Sequence, residues 1–179
     1  MKARYPSIFI TAFVALVALQ GCTPSVDPAK VQADIVKAQA DGQKTIADAQ
    51  ANMDKVVAQN NKDLVNARVD AHTENASAAV ANGETPVATG QPTQVPPDSE
   101  AVAKARMDAN DKKADAQYEL DKAKAEAAYN VALARCEAQT GDALDACKDS
   151  AKTQYDDATL AAKNRNDAAH KANQARTQG

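Results

Sequence analysis

Three cysteines are the residues of this chain whose type and spacing point most directly to chemistry. Cys22 follows an apolar segment near the start of the sequence, whereas Cys136 and Cys147 lie eleven residues apart in an alanine-rich region. Thiols in such positions are acylated, oxidised to a disulfide or used as metal ligands. The compartment and the elements that carry the cysteines decide among these reactions.

The first 21 residues have the organisation of a bacterial export signal. Lys2 and Arg4 form a basic tip, and an apolar run from Ile8 to Leu19 follows. That run is shorter than the roughly 20 residues that a membrane-spanning helix needs. We therefore interpret residues 1–21 as a cleaved signal peptide, which predicts that the remainder is exported to an oxidising compartment.

The segment Leu19-Gln20-Gly21-Cys22 resembles the lipobox of bacterial lipoproteins. The resemblance implies a diacylglyceryl group on the thiol of Cys22 and an acyl chain such as palmitate on its freed amine, with no cofactor. Several acyl chains hold a protein firmly on a membrane, because each buried methylene contributes about 0.8 kcal/mol. Enteric lipoproteins retained at the inner membrane have aspartate after the cysteine. Thr23 in this position therefore favours the periplasmic face of the outer membrane.

The composition predicts helices without a thick globular core. The chain contains no tryptophan, and alanine supplies most of the nominal hydrophobicity of the exported part. Alanine, lysine, glutamine and acidic residues at this density are typical of long helices. Loss of Lys2 and Arg4 makes the net charge more negative than the −3 of the whole chain. We therefore expect no nucleic-acid partner, since such a partner requires a basic stripe.

Capping residues and prolines divide the exported part into segments, for which we expect an all-α fold. Asp27 is suited to cap a helix that begins at Pro28, and Asp98 or Ser99 to cap the next one. A proline- and threonine-rich stretch between them has the composition of a linker. In chain order we predict a lipidated anchor (22–27), a long amphipathic helix (28–82), a flexible linker (83–98) and an antiparallel, coiled-coil-like helical hairpin (99–178).

A narrow stripe of small and apolar residues runs along the first helix. Its mean step of about 3.6 residues is the repeat of a straight helix rather than the 3.5 of a left-handed coiled coil. Gly42 and Asn60 fill gaps in the stripe. A helix with so narrow a stripe must pack against other helices, either those of the hairpin or those of other copies in a homo-oligomer. The sequence does not decide between these two packing partners. The stripe consists of Val31, Ile35, Ala38, Ile46, Ala49, Met53, Val56, Leu64, Ala67 and Ala71.

Cys136 and Cys147 can form a disulfide only if the chain bends between them. One continuous helix would separate their Cα atoms by about 16 Å, whereas a disulfide bridges about 7 Å at most. Their midpoint is Gly141-Asp142; we expect Gly141 to cap an incoming helix that continues to Thr140, and Asp142 to cap the outgoing one. We therefore predict a disulfide-clasped hairpin. Free thiols are disfavoured in an oxidising compartment, and a metal site by the lack of four ligands.

The register of this hairpin is set by the cysteine pair, because facing residues in antiparallel helices have numbers with a constant sum. It places Tyr129 beside Gln154 and Tyr155, and Ala125 opposite Ala158 at a close seam. We interpret these tyrosines as seam residues rather than a recognition patch.

Other candidate sites receive a structural interpretation. His72 and His170 each stand alone on a polar, alanine-rich stretch, and we interpret both as solvated surface residues. The chain has no glycine-rich phosphate loop and no serine in a nucleophile elbow. We therefore predict that the protein is not an enzyme and has no catalytic residues.

An anchor at Cys22 followed by a long alanine-rich helix resembles small outer-membrane lipoproteins, including murein-lipoprotein-like proteins. The segment from Ala134 to Lys148 resembles uncharacterised alanine-rich proteobacterial envelope proteins with a loose similarity to Tol-type helical stalks. These resemblances imply an envelope location. We expect a structural or interaction element with a rod, a hinge and a hairpin that projects towards peptidoglycan or an envelope protein. The alternative is a stress-protective hydrophilic protein similar to late-embryogenesis-abundant proteins, which stay disordered until dried.

Overall fold

A computed structural model describes residues 26–81 and 99–176 of the chain. These residues form three helices, α1 (Pro28–Ala81), α2 (Glu100–Cys136) and α3 (Asp142–Ala175), and contain no strand. The predicted all-α class, with a long helix followed by a helical hairpin, is confirmed. The expected signal peptide and linker lie outside the described residues, as does the expected anchor up to Ser25. At 1.5 Å per residue, the 54 residues of α1 extend about 80 Å.

The starts of α1 and α2 follow from side-chain caps. The backbone N–H of Ala29 donates to the carboxylate of Asp27 at 2.9 Å, and the N–H of Val102 donates to the Ser99 hydroxyl at 3.4 Å. Each cap gives a partner to an amide that has none within the first helical turn. The predicted starts of these two helices are therefore correct.

The turn between α2 and α3 differs from its expected form. α2 ends at Cys136, four residues before Thr140, and Gly141 is the N-cap of α3 rather than the cap of α2. Gly141 has φ of +59°, a conformation that favours glycine. Asp142 is the first residue of α3, not its cap. The predicted caps at Gly141 and Asp142 are wrong because two packed helices need a longer connection to reverse. The backbone N–H of Gln139 already bonds back to the carbonyl of Cys136 at 2.8 Å.

α1 folds back along α2 in an antiparallel pair. The amide of Asn60 donates to the carbonyl of Ala109 at 2.7 Å, and Gly42 lies directly against Ala127. The facing numbers, 42 with 127 and 60 with 109, have the same sum of 169. The beginning of α1 therefore lies beside the α2–α3 turn, and the hairpin runs along α1 rather than beyond it.

Buried positions recur at steps of eleven residues on all three helices. Eleven residues complete three turns at about 3.67 residues per turn, which is close to the ordinary helical repeat. The same side of each helix therefore faces its neighbour along the whole length. The buried sets spaced in this way are Val31 and Gly42, and Asn60 and Ala71, on α1; Ala109 and Leu120, Ala116 and Ala127, Ala123 and Ala134, and Ala125 and Cys136, on α2; and Ala151, Ala162 and Asn173 on α3.

α2 is the central helix of a flat layer. It contacts both other helices, whereas the described parts of α1 and α3 do not contact each other. Ala109 and Ala127 contact α1, and the residues two positions later, Asp111 and Tyr129, contact α3. Two positions on a helix are about 200° apart, so α1 and α3 pack on opposite sides of α2. The three helices therefore form one layer with two broad exposed faces.

Candidate functional site: the clasped hairpin

The disulfide between Cys136 and Cys147 closes the α2–α3 turn. The two Cα atoms are 5.6 Å apart, and the predicted pairing is confirmed. Cys136 is the last residue of α2 and is fully buried, whereas Cys147 is half-buried in the second turn of α3. Exchange requires a thiolate to reach a sulfur atom, and burial protects Cys136 from such attack. This geometry suits a structural clasp.

The tyrosine pair confirms the predicted hairpin register. The ring centroids of Tyr129 and Tyr155 lie 5.2 Å apart with a tilt of 35°, within the range of favourable aromatic contacts. Ala125 is buried next to this pair, but Ala158 is exposed, and the two alanines border one shallow depression. The close seam predicted at Ala158 is therefore wrong. The two rings occupy the neighbouring turn and set the helix separation, so two small side chains leave a depression there.

A polar cluster joins α2 and α3 near the other end of the hairpin, and we call it the histidine clasp. The Nδ1 atom of His170 lies 2.9 Å from Asp111 Oδ1, and its Nε2 atom lies 2.8 Å from Asp115 Oδ1. Asn166 donates to Asp115 at 3.1 Å and Asn173 donates to Asp111 at 2.8 Å. The interpretation of His170 as a solvated residue is therefore wrong, because α2 places a carboxylate beside each ring nitrogen.

The charge state of the clasp follows from its geometry. A neutral imidazole donates through one nitrogen only, whereas an imidazolium donates through both. The hydrogen bond to Asp115 raises the pKa of His170, with a further contribution from the charge of that carboxylate. The same hydrogen bond from His170, aided by Asn166, lowers the pKa of Asp115. The clasp therefore favours the imidazolium form of His170 and the ionised form of Asp115.

The cysteine spacing also contains a signal for this cluster. The cysteine register sums to 283, from 136 and 147, and so places His170 opposite position 113. Asp111 and Asp115 flank that position, one helical turn apart. By contrast, His72 is exposed on α1.

A third connection across the hairpin is the ion pair between Arg165 and Asp121, whose atoms lie 2.8 Å apart. Together with the disulfide and the histidine clasp, it distributes the α2–α3 contacts along the length of the hairpin. Within residues 26–81 and 99–176, no group of three or more His, Cys, Asp or Glu side chains is arranged to hold a metal ion. The arrangement fixes two helices relative to each other and leaves their outer sides exposed.

Cys22, the residue expected to carry lipid, lies outside the described residues. α1 begins six positions after it, at Pro28. None of the three described helices has an apolar stretch long enough to cross a membrane. Comparisons with models of known families, with curated proteins and with solved structures find no match for this chain.

Proposed function

We propose that this protein is an outer-membrane lipoprotein whose helical layer acts, without catalysis, as a structural or interaction element of the bacterial cell envelope. The observation that carries the proposal is the position of Cys22, at the end of a signal-like segment and six residues before Pro28. A lipid at Cys22 would attach one end of the layer to the membrane. Because the connection between Cys22 and Pro28 is short, that end would remain close to the membrane surface.

The fold determines which end of such an anchored layer would lie near the membrane. The first turn of α1 lies beside the end of α2, where Lys30 is 4.0 Å from Glu137. The disulfide turn is therefore on the membrane side of the anchored protein, and the histidine clasp lies farther away. The opposite end of α1 reaches about 80 Å from the anchor, and that end is the part available to peptidoglycan or to an envelope protein.

The disulfide supports an exported location on independent grounds. Disulfides persist in the periplasm, whereas thiols in most bacterial cytoplasms are kept reduced. Since Cys136 and Cys147 are bonded, a structural role for the pair requires an oxidising compartment. An exported, tethered protein meets that requirement.

Replacement of Cys22 tests the anchor. A Cys22→Ser variant should incorporate no fatty-acid analogue during growth and should leave the membrane fraction after a high-salt wash. A Cys147→Ala variant is the control, because it alters a thiol without touching the anchor and should still be labelled. Label in the Cys22→Ser protein would refute lipidation at this residue.

Circular dichroism distinguishes an envelope element from a stress-protective protein. The hydrated protein should be strongly helical at every concentration, because α1, α2 and α3 cover most of the described residues. A spectrum of coil that becomes helical only on drying would instead favour the stress-protective alternative.

A further inference from the structure

The two broad faces of the helical layer carry opposite charge, as a pattern in the sequence of the helices shows. A cation is repeatedly followed, two positions later, by a carboxylate. Since two positions on a helix are about 200° apart, the two charges of each pair lie on opposite sides. The pairs are Arg68 and Asp70 on α1; Arg106 and Asp108, Lys113 and Asp115, and Lys124 and Glu126 on α2; Arg135 and Glu137 at the end of α2, where Glu137 is the C-cap; and Arg165 and Asp167 on α3.

The cations of these pairs share one broad face, which we call the basic face. Lys124 and Arg135 border a single depression together with Gln43 of α1 and Gln154 of α3, so this face extends across all three helices. Lys113 borders a second depression with Arg176. Arg68 lies 25 residues after Gln43, close to seven full turns, and therefore on the same side of α1. Every arginine of the described residues thus belongs to this face: Arg68, Arg106, Arg135, Arg165 and Arg176.

The basic face is available for binding. All five arginines, and Lys113 and Lys124 with them, are exposed. Among these cations, Arg165 alone forms an ion pair within the described residues, with Asp121. Unpaired guanidinium groups in fixed positions are suited to carboxylates, which they bind through two parallel hydrogen bonds.

The opposite side of the layer, which we call the acidic face, carries most of the carboxylates. Two contacts across the helices belong to it: Lys30 lies 4.0 Å from Glu137, and Lys112 lies 3.8 Å from Asp63. Lysines on this face neutralise part of its charge through ion pairs within each helix, namely Lys30 with Asp34, Lys122 with Glu119, Lys152 with Asp156 and Lys163 with Asp167. The carboxylates outnumber the lysines, so the face remains negative. The exposed or half-exposed carboxylates include Asp34, Asp41, Asp48 and Asp70 on α1, Asp108, Glu119 and Glu126 on α2, and Asp145, Asp156 and Asp167 on α3.

We propose that copies of this chain associate face to face, with the basic face of one copy on the acidic face of the next. The two faces repeat with the same spacing: Lys113, Lys124 and Arg135 are eleven residues apart, as are Asp115, Glu126 and Glu137 on the opposite side. Eleven residues span about 16 Å, so rows of opposite charge can remain in register along the whole layer. Because different surfaces of the two copies meet, the contact is of the head-to-tail kind and can continue into a stack.

The available area is sufficient for such a contact. By the facing sum of 283, α3 lies beside α2 from residue 108 to Cys136, so all three helices run together for about 43 Å. Three helices spaced 8–10 Å apart make the layer about 27 Å wide. The resulting face, roughly 1,200 Å², exceeds the approximately 800 Å² per partner of a standard stable interface.

Sedimentation of the full chain in a neutral detergent tests the proposal. At about 20 mM salt the weight-average mass should at least double as the protein concentration rises, and the increase should disappear near 0.5 M salt because exposed charges are then screened. A mass that stays monomeric at low salt overturns the proposal. A monomer that instead binds vesicles of anionic lipid through the basic face also overturns it, since the occupant is then a membrane.

Charge-reversal variants make the test specific. One variant carries Arg106→Glu, Lys113→Glu, Lys124→Glu and Arg135→Glu; the other carries Asp41→Lys, Asp48→Lys, Asp108→Lys and Glu126→Lys. Each should remain monomeric alone, and an equimolar mixture should recover association, because each variant then supplies the charge that the other lacks. Association of either variant alone, or its absence in the mixture of two helical variants, contradicts the proposal.

The matched control reverses charge on neither broad face. Lys44 and Lys62 lie on the outer edge of α1, away from α2, and both are exposed. A protein with Lys44→Glu and Lys62→Glu should associate like the wild type. Loss of association in this control would indicate a dependence on net charge alone and would refute a specific contact between the faces.

Discussion

Gly42 of α1 lies so close to Ala127 of α2 that a Cβ atom at position 42 would stand 2.7 Å from the Ala127 Cβ. Real Cβ atoms do not approach that closely, so Gly42→Ala requires the helices to separate. Alanine favours a helix over glycine by about 1 kcal/mol, but overpacking costs about 1–3 kcal/mol. We predict a net loss of stability, measured as the free energy of unfolding in urea.

A double-mutant cycle separates the clash from other effects of this substitution. Ala127→Gly should restore part of the stability lost in Gly42→Ala, with a coupling energy of about 0.5–3 kcal/mol for residues in direct contact. Asn52→Ala, at an exposed position of α1, is the control and should stabilise slightly through helix propensity. Additive effects at 42 and 127 would show that the two helices do not touch there.

Asn60 should fix the register of α1 on α2 more than it adds stability. Its amide donates to Ala109, but its buried Oδ1 atom has no hydrogen-bond partner among residues 26–81 and 99–176. In Asn60→Ala, loss of the hydrogen bond and removal of that buried oxygen oppose each other, so the free energy of unfolding should change by less than about 1 kcal/mol. A polar group at such a position specifies alignment.

Cross-linking measures the alignment. A cysteine at position 64 should pair with one at position 105 in the wild-type background, because these numbers share the sum of 169 set by residues 42 and 127. In the Asn60→Ala background, pairing with a cysteine at position 109, one turn away, should also appear. Unchanged selectivity would mean that the alanine and valine seam alone sets the register.

The sequence predicted α1 well because its signals are local. Asp27 and Pro28 mark the start of the helix, and every predicted stripe position is buried or half-buried, including Gly42 and Asn60. What the stripe packs against was not predictable in the same way. A narrow apolar stripe fits α2 or a second copy equally, and the choice depends on contacts between residues far apart in the chain.

Adjacent alanines on α3 should respond differently to enlargement. Ala162 is 1% exposed and faces α2, whereas Ala161 is exposed. We predict that Ala162→Leu destabilises by about 1–3 kcal/mol because the seam has no room for it. Ala161→Leu should stay within about 0.5 kcal/mol of the wild type. Thermal unfolding followed by circular dichroism checks both, and equal tolerance at the two positions would contradict the packing of α3 on α2.

The histidine clasp should make stability depend on pH in a defined direction. Because the pKa of His170 is raised above its ordinary value of 6.5, its contribution is complete below 6.5 and disappears as pH rises through the raised value. Because the pKa of Asp115 is lowered below 3.8, its contribution is present above 3.8 and disappears as pH falls through the lowered value. Stability from the clasp is therefore greatest in mildly acidic solution.

Unfolding curves for wild type and His170→Gln between pH 5 and 9 test this dependence. The difference in stability between the two proteins should shrink as pH rises through the raised pKa of His170, since the wild type then loses the charged contact. His72→Gln controls for removing one imidazole from the chain. A His170→Gln difference that stays constant over this range would contradict a charged clasp.

Reduction of the disulfide should loosen the hairpin without removing its helices. The bond closes a loop of eleven positions, so the entropic contribution is about 3 kcal/mol. Arg165 and His170 still connect the helices in the reduced protein. A variant with Cys136→Ala and Cys147→Ala should therefore keep nearly all of its helical signal and unfold at lower urea. Collapse of the helical signal in this variant would show that the disulfide, not packing, holds the hairpin.

The hairpin is predictable from the sequence only in part. The spacing of Cys136 and Cys147 required a bend and fixed the register that Tyr129 and Tyr155 confirm. The sequence does not indicate which helix Gly141 caps, because glycine is suited to either side of a turn and only the length of the connection decides. It does not indicate the role of His170 by local signals either, because the partners of this histidine lie on α2 and not on its own helix.

The eleven-residue spacing of the buried positions limits how the protein can change in length. At the repeat of about 3.67 residues per turn that this spacing indicates, an insertion of eleven residues in α1 adds three turns and returns every later side chain to its original side, whereas an insertion of seven rotates the remainder of the stripe away from α2 by about 33°. Since α1 and α2 run antiparallel, added turns on one gain partners only if the other is lengthened at the facing position. Natural length variants of this layer should therefore differ by paired blocks of eleven residues, and single insertions of other sizes should occur in the connections.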